Sequence, residues 1–122
     1  MGAVPKFGVV ALDCPDPVAL AEFYRELLDW GPAKVDDGWV SLPNPGGGAG
    51  LAFQRVPDYR APDWPSTDNP QQLHLDLYVD VDDMDAAHER ALRIGATLLD
   101  DKPETWRVYA DPAGHPFCLC AC

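Results

Sequence analysis

At 122 residues the chain has room for one domain that buries roughly two thirds of its unfolded surface, so folding requires no disulfide. Hydrophobic content of 47% with 24% charged residues fits a soluble globular protein, and no apolar run approaches the roughly 18 residues of a membrane span. A net charge of -11 argues against nucleic-acid binding, which needs clustered Lys and Arg, and is compatible with a cationic ligand. The opening MGAVPKFGVVALDC has one lysine and soon turns acidic, unlike a secretory leader; with four cysteines this points to a reducing, cytoplasmic setting.

The elements follow in chain order. FGVVALDC (7–14) is apolar and β-branched and reads as a buried strand. Asp16 then Pro17 is a helix start, with Asp at the cap and Pro at the first helical position. Leu20, Phe23, Tyr24, Leu27 and Leu28 repeat on one helical face, and Gly31 is the expected stop. Short strands are expected around 33–35, 39–42 and 51–56, with NPGGGAG (44–50) as the turn between the last two. The proline-rich stretch 57–71 reads as a connector. QLHLDLYVDV (72–81) is a strand, Asp83 caps a second helix carrying Met84, Ala87, Ala91 and Ile94, and Gly95 ends it. Strands are expected near 97–99, 106–110 and 116–122, the last after a DPAG turn at 111–114.

The order β-α-β-β-β occurs twice, which is an internal duplication. Gly50-Leu-Ala-Phe-Gln54 resembles Gly114-His-Pro-Phe-Cys118, and Asp16 pairs with Asp83, at offsets of roughly 64–67 residues. The expected fold class is α+β: two tandem βαβββ modules, about 5–57 and 72–122, joined by a linker over 58–71. They would form a cupped mixed sheet with helices outside.

These motifs resemble the vicinal-oxygen-chelate superfamily, which includes glyoxalase I, extradiol dioxygenases, and fosfomycin- and bleomycin-resistance proteins. The residues that carry the resemblance are Asp16-Pro17, Phe23-Tyr24, Leu28 and Gly31 in the first half. In the second they are His74-Leu-Asp-Leu, Asp83, Gly95-Ala-Thr97 and Asp111-Pro-Ala-Gly114. The closest likeness is to the small glyoxalase-like branch. Family enzymes hold a divalent metal between two halves through first- and last-strand residues, and the metal polarises two neighbouring substrate oxygens. Carried onto this chain, those positions are Val9, Gln54, His74 and Cys118. Val9 cannot ligate and both family carboxylates are missing, so the resemblance implies a lost enzyme-type metal site and no cofactor. If a metal binds, His74, Gln54 and Cys118 are its candidate ligands, for Zn, Ni, Mn or Fe. Asp13 and Asp76 are further carboxylates that could face the cup. A homodimer is also implied.

Among candidate ligand-binding residues, His74 offers a group that titrates near neutral pH. Gln54 is a polar side chain on a strand and needs a partner if buried. Trp39 and Trp106 hold similar places on the third and seventh strands and could stack on a flat ligand. His88 reads as a solvated mid-helix residue, and His115 as a surface or turn-stabilising one. In the tail GHPFCLCAC, alternation puts Cys118, Cys120 and Cys122 on one face. No phosphate loop, nucleophile elbow or HExxH motif occurs in the sequence.

Two readings of function follow. The first is a metal-free protein binding an aromatic or cationic metabolite or drug. The alternative is a metal-dependent glyoxalase-type lyase, isomerase or dioxygenase with an atypical His/Cys/Gln site. A third possibility is metal-free acid–base catalysis by His74.

Overall fold

The computed structural model describes residues 2–121, and Cys122, counted above with the tail cysteines, lies outside them. Two compact units divide between Tyr59 and Arg60. In the first, strand β1 (Val9–Cys14) leads into helix α1 (Pro17–Leu28), followed by β2 (Lys34–Asp36), β3 (Trp39–Leu42) and β4 (Gly50–Arg55). The sheet order is β1-β4-β3-β2, with β1 parallel to β4 and the other pairs antiparallel.

The Asp16 carboxylate accepts the Ala19 backbone N–H at 3.1 Å, and Pro17 opens α1 where its missing N–H costs nothing. The apolar spacing then buries Leu20, Phe23 and Tyr24. Tyr24 stacks on Phe53 of β4 at 5.8 Å between ring centroids, and Phe23 meets Tyr24 edge-on at 5.0 Å. The helix stops at Asp29, earlier than the expected Gly31. Asp29 takes the left-handed conformation at φ 55°, which Asp tolerates better than most residues.

The second unit repeats this plan with β5 (Leu75–Val79), a single 3-10 turn (Val81–Asp83), α2 (Met84–Arg93), β6 (Thr97–Asp100), β7 (Trp106–Ala110) and β8 (Pro116–Ala121). Its order is β5-β8-β7-β6, again with one parallel pair, β5 with β8. Phe117 repeats the place of Phe53, but its stacking partner, at 5.4 Å, is Tyr109 from the neighbouring strand rather than a helix residue. Asp83 makes no side-chain cap bond; its backbone already has helical φ and ψ because the 3-10 turn runs straight into α2. Gly95, at φ 121°, ends the helix as expected.

The segment read as a connector, 58–71, contains no helix or strand, and from Arg60 onward it belongs to the second unit. Asn69 ties it together: its backbone oxygen accepts the Asp63 N–H, and its side-chain nitrogen donates to the Ala61 oxygen, each at 2.7 Å.

The cupped sheet expected from the sequence is not formed. Each unit closes its own ladder into a separate four-stranded mixed sheet with a flanking helix. Four strands twist, but they fall well short of the roughly eight with which a sheet curls round an interior.

Candidate functional site

The parallel register of β5 and β8 sets Asp76 opposite Cys118 and Tyr78 opposite Cys120. Across β8, Val108 of β7 also stands opposite Cys118, and Trp106 opposite Cys120. Side chains alternate along a strand, so Phe117 and Leu119 go to the buried core while Cys118 and Cys120 face the other way. His74 lies just before β5 and two residues from Asp76, which puts both on that same open face.

Three donor atoms gather there. His74 Nε2 lies 3.2 Å from Asp76 Oδ1, and the donor atoms of His74, Asp76 and Cys118 all fall within 4.8 Å of one another. His74 and Asp76 are partly open to solvent, whereas Cys118 is 7% exposed. Burial pushes the Cys118 thiol up to about 11, helped by the Asp76 charge and the thiol's hydrogen bond to that carboxylate. At neutral pH the sulfur therefore carries its proton.

These residues line a cleft of about 340 Å³ together with Thr105, Trp106, Cys120 and Ala121. A second cavity of about 140 Å³ shares His74, Trp106 and Cys118 with the cleft and adds Trp64, Gln71, Val108 and Pro116. Polar groups converge on an otherwise apolar hollow, the common form of a small-molecule site.

Of the five residues singled out in the sequence, the structure brings His74, Cys118 and Trp106 into this cleft. Gln54 and Trp39 belong to the first unit. There Gln54 is exposed on β4, with Asp13 opposite it on one side and half-buried Trp39 opposite it on the other. The first unit thus has a carboxylate–amide–indole row where the second has carboxylate–thiol–valine. Because Asp13 faces Gln54 as Asp76 faces Cys118, the register counterpart of His74 is Ala11 rather than Val9. Neither can ligate a metal. By the same register Trp39 corresponds to Val108, and Trp106 stands two residues away.

The sequence reading counted only His74, Gln54 and Cys118 as ligands and kept Asp76 as a side possibility. The alternation His74-x-Asp76 on one strand was the signal that joins them. Nothing in the sequence pointed to Gln71 or Thr105. His88, read as solvated, is half-buried on α2, and its Nδ1 lies 2.7 Å from the Tyr109 hydroxyl. His115 serves the turn: its Nδ1 lies 2.8 Å from Asp111 Oδ2, and buried Asp111 also accepts the backbone N–H groups of Ala113 and His115. Among the described residues, no helix is long and apolar enough to cross a membrane.

Residues 9–120 match the family model described as a glyoxalase-like domain. No curated protein sequence matches the chain significantly. Among solved structures, the chain is similar to a glyoxalase/bleomycin resistance protein/dioxygenase family enzyme from Burkholderia phytofirmans PsJN. The TM-score is 0.75 at 19% identity, covering 94% of this chain and 97% of that one. A glyoxalase-related enzyme from Fulvimarina pelagi gives 0.71 at 22% identity over 98% and 89% of the two chains. The fosfomycin resistance protein FosX from Listeria monocytogenes, in complex with Mn(II) and 1S,2S-dihydroxypropylphosphonic acid, gives 0.73 at 12% identity over 97% and 90%. At these identities the likeness is one of fold.

Proposed function

The chain belongs to the glyoxalase-like domain family of the vicinal-oxygen-chelate superfamily, and from that premise we propose that it is a metal-dependent enzyme acting on a small molecule with two neighbouring oxygens. The observation that carries this is the convergence of His74, Asp76 and Cys118 in the wall of a largely apolar cleft. Asp76 supplies the negative charge that the family positions carried over from sequence lacked. An imidazole nitrogen, a carboxylate oxygen and a sulfur suit a borderline-soft divalent ion such as zinc, and three protein ligands leave room for two substrate oxygens when the ion is five-coordinate. The set fits such an ion in the kind of its donors.

When bound, such an ion supplies Lewis-acid polarisation of the paired oxygens. The protein's own part is to hold and to move protons. His74, Asp76 and Cys118 would hold such an ion, and Cys118 would have to lose its thiol proton to ligate it. Before any ion binds, His74 Nε2 pairs with Asp76 Oδ1 at 3.2 Å, which holds the ring in the cleft. Trp106, 45% exposed, offers an indole face to a flat part of the substrate. That the FosX structure from Listeria monocytogenes pairs Mn(II) with a vicinal diol supports the substrate class.

Elemental analysis of protein purified without chelators tests the reading. The expected result is one divalent ion per chain, with turnover restored to stripped protein by Zn, Ni, Mn or Fe. Absence of stoichiometric metal, with no gain on adding any of the four, overturns it.

The metal-free binding protein expected first from the sequence is the second reading. Its support is the protonated, buried Cys118 thiol, which makes its part of the cleft wall apolar. Calorimetry against aromatic and cationic metabolites with stripped protein distinguishes the two. The homodimer implied by the family resemblance is checked by sedimentation of the full chain.

A further inference from the structure

The segment from Arg60 to Gln71 has no helix or strand, yet its neck is held at two points. Asn69 braces it from within: its side-chain nitrogen donates to the Ala61 oxygen, and its backbone oxygen accepts the Asp63 N–H, each at 2.7 Å. Ala61 in turn sits against Gly114. A Cβ on Gly114 would come within 2.7 Å of the Ala61 Cβ, and the Gly114 φ of +91° favours glycine for a second reason. The neck is therefore fixed both to itself and to the turn before β8. The tip beyond it differs. Pro65, Ser66, Thr67 and Asp68 are exposed, and the Asp68 N–H donates to Ser66 Oγ at 3.2 Å, a local bond that travels with the tip. Trp64 is the exception. It is half-buried and lines the 140 Å³ cavity with His74, Trp106 and Cys118. A pinched neck, an exposed tip and one large side chain in a cavity wall make a compact loop that moves as a unit.

We propose that residues 60–71 form a lid beside the donor group, with Trp64 as its plug and Asn69 as the positioning residue that fixes its neck. With the tip down, Trp64 closes the smaller cavity against the wall that carries His74 and Cys118. With the tip up, that cavity opens to solvent, and a ligand enters or leaves beside the donors. Few contacts hold the exposed tip, so it opens more readily than the sheet beneath it. The lid's part in turnover rests on the proposed metal-dependent function. Its motion needs neither metal nor substrate, so the two readings fail separately.

The test uses the full chain stripped of metal. Relaxation dispersion at the indole N–H groups reads motion on the microsecond-to-millisecond scale of lids, with the four tryptophans assigned by replacement with Phe. Exchange is expected at Trp64 and, through the shared cavity, at Trp106, and not at Trp30 or Trp39. A rigid Trp64, or uniform exchange at all four, overturns the proposal. Access is read from N-ethylmaleimide labelling of Cys118 at pH 9, in a Cys120→Ala, Cys122→Ala background, with the adduct located by mass spectrometry. Trp64→Ala is expected to speed that labelling about tenfold, because the plug is gone. Asn69→Ala, which frees the neck, is expected to speed it too, together with hydrogen exchange of the Asp63 amide. The amide of Tyr109, on an inner strand of the same unit, is expected to keep its protection in both variants. Labelling unchanged by Trp64→Ala, or Tyr109 exchange that rises in step with Asp63, overturns the lid. Loss of metal binding with the lid motion intact strikes only the metal reading.

Discussion

Asp76 on β5 stands directly opposite Cys118 on β8, so a carboxylate and a buried thiol meet across a parallel strand pair. Parallel neighbours lie about 4.8 Å apart, which brings the two side chains within reach of each other. His74, two residues before Asp76, completes the group from the same face. The proposed chemistry depends on this arrangement.

Replacing Asp76 by Asn preserves shape but removes the charge. Zinc affinity is expected to fall at least tenfold, and similarly for His74→Ala and Cys118→Ala, since loss of even an outer partner of a metal ligand costs about 10–100-fold. Cys120→Ala, which removes a half-buried neighbour outside the donor group, is expected to change affinity little. Competition with a chromogenic chelator measures each variant.

The raised Cys118 thiol links stability to pH in the metal-free protein. Its folded pKa, about 11, lies above its ordinary value of 9.0, so the folded state holds the proton more tightly. The resulting stability is fully present below pH 9 and is lost as pH rises through 11. It amounts to about 1–2 kcal/mol once solvent screening at the cleft mouth is allowed for. Urea unfolding at pH 8, 10 and 11 is expected to show this fall in the wild type. Cys118→Ala is expected to show a shallower slope, and equal slopes would refute the assignment.

The two helix starts look alike in sequence but differ in structure. Asp16→Ala is expected to cost about 1 kcal/mol, because its carboxylate caps α1. Asp83→Ala is expected to change stability by less than about half of that, because Asp83 makes no cap bond. Paired chemical denaturation of the two variants checks the difference.

Tyr109→Phe removes one hydroxyl from the core of the second unit and leaves the ring stacked on Phe117. The loss of its contact with His88 Nδ1 is expected to cost about 1 kcal/mol. Phe117→Ala, by contrast, empties a fully buried site and is expected to cost about 3–5 kcal/mol. Thermal melts of the two variants should rank accordingly.

Local elements were readable because local rules fix them. The Asp16-Pro17 start, the apolar face of α1 and the Gly95 stop depend on residues within one or two helical turns. Both βαβββ repeats, and the matching aromatic places Phe53 and Phe117, could be read from spacing alone. The reading failed where a longer range decided. Gly31 is the stop the sequence suggests, because glycine is the usual left-handed residue, yet Asp29, one step past the helix, takes that conformation first. His88 looked solvated among Glu89 and Arg90, but Tyr109, twenty-one residues on, supplied a buried partner.

The sequence by itself determined the family, the duplicated strand–helix order and the positions of His74 and Cys118. Hydrophobic period, caps and turn residues are written in neighbouring positions. Only the tertiary structure decided that the strands pair into two four-stranded sheets and that Asp76 stands opposite the Cys118 thiol. Strand register, ladder closure and side-chain satisfaction are pairings between distant residues, and pairings arise only when the chain has folded.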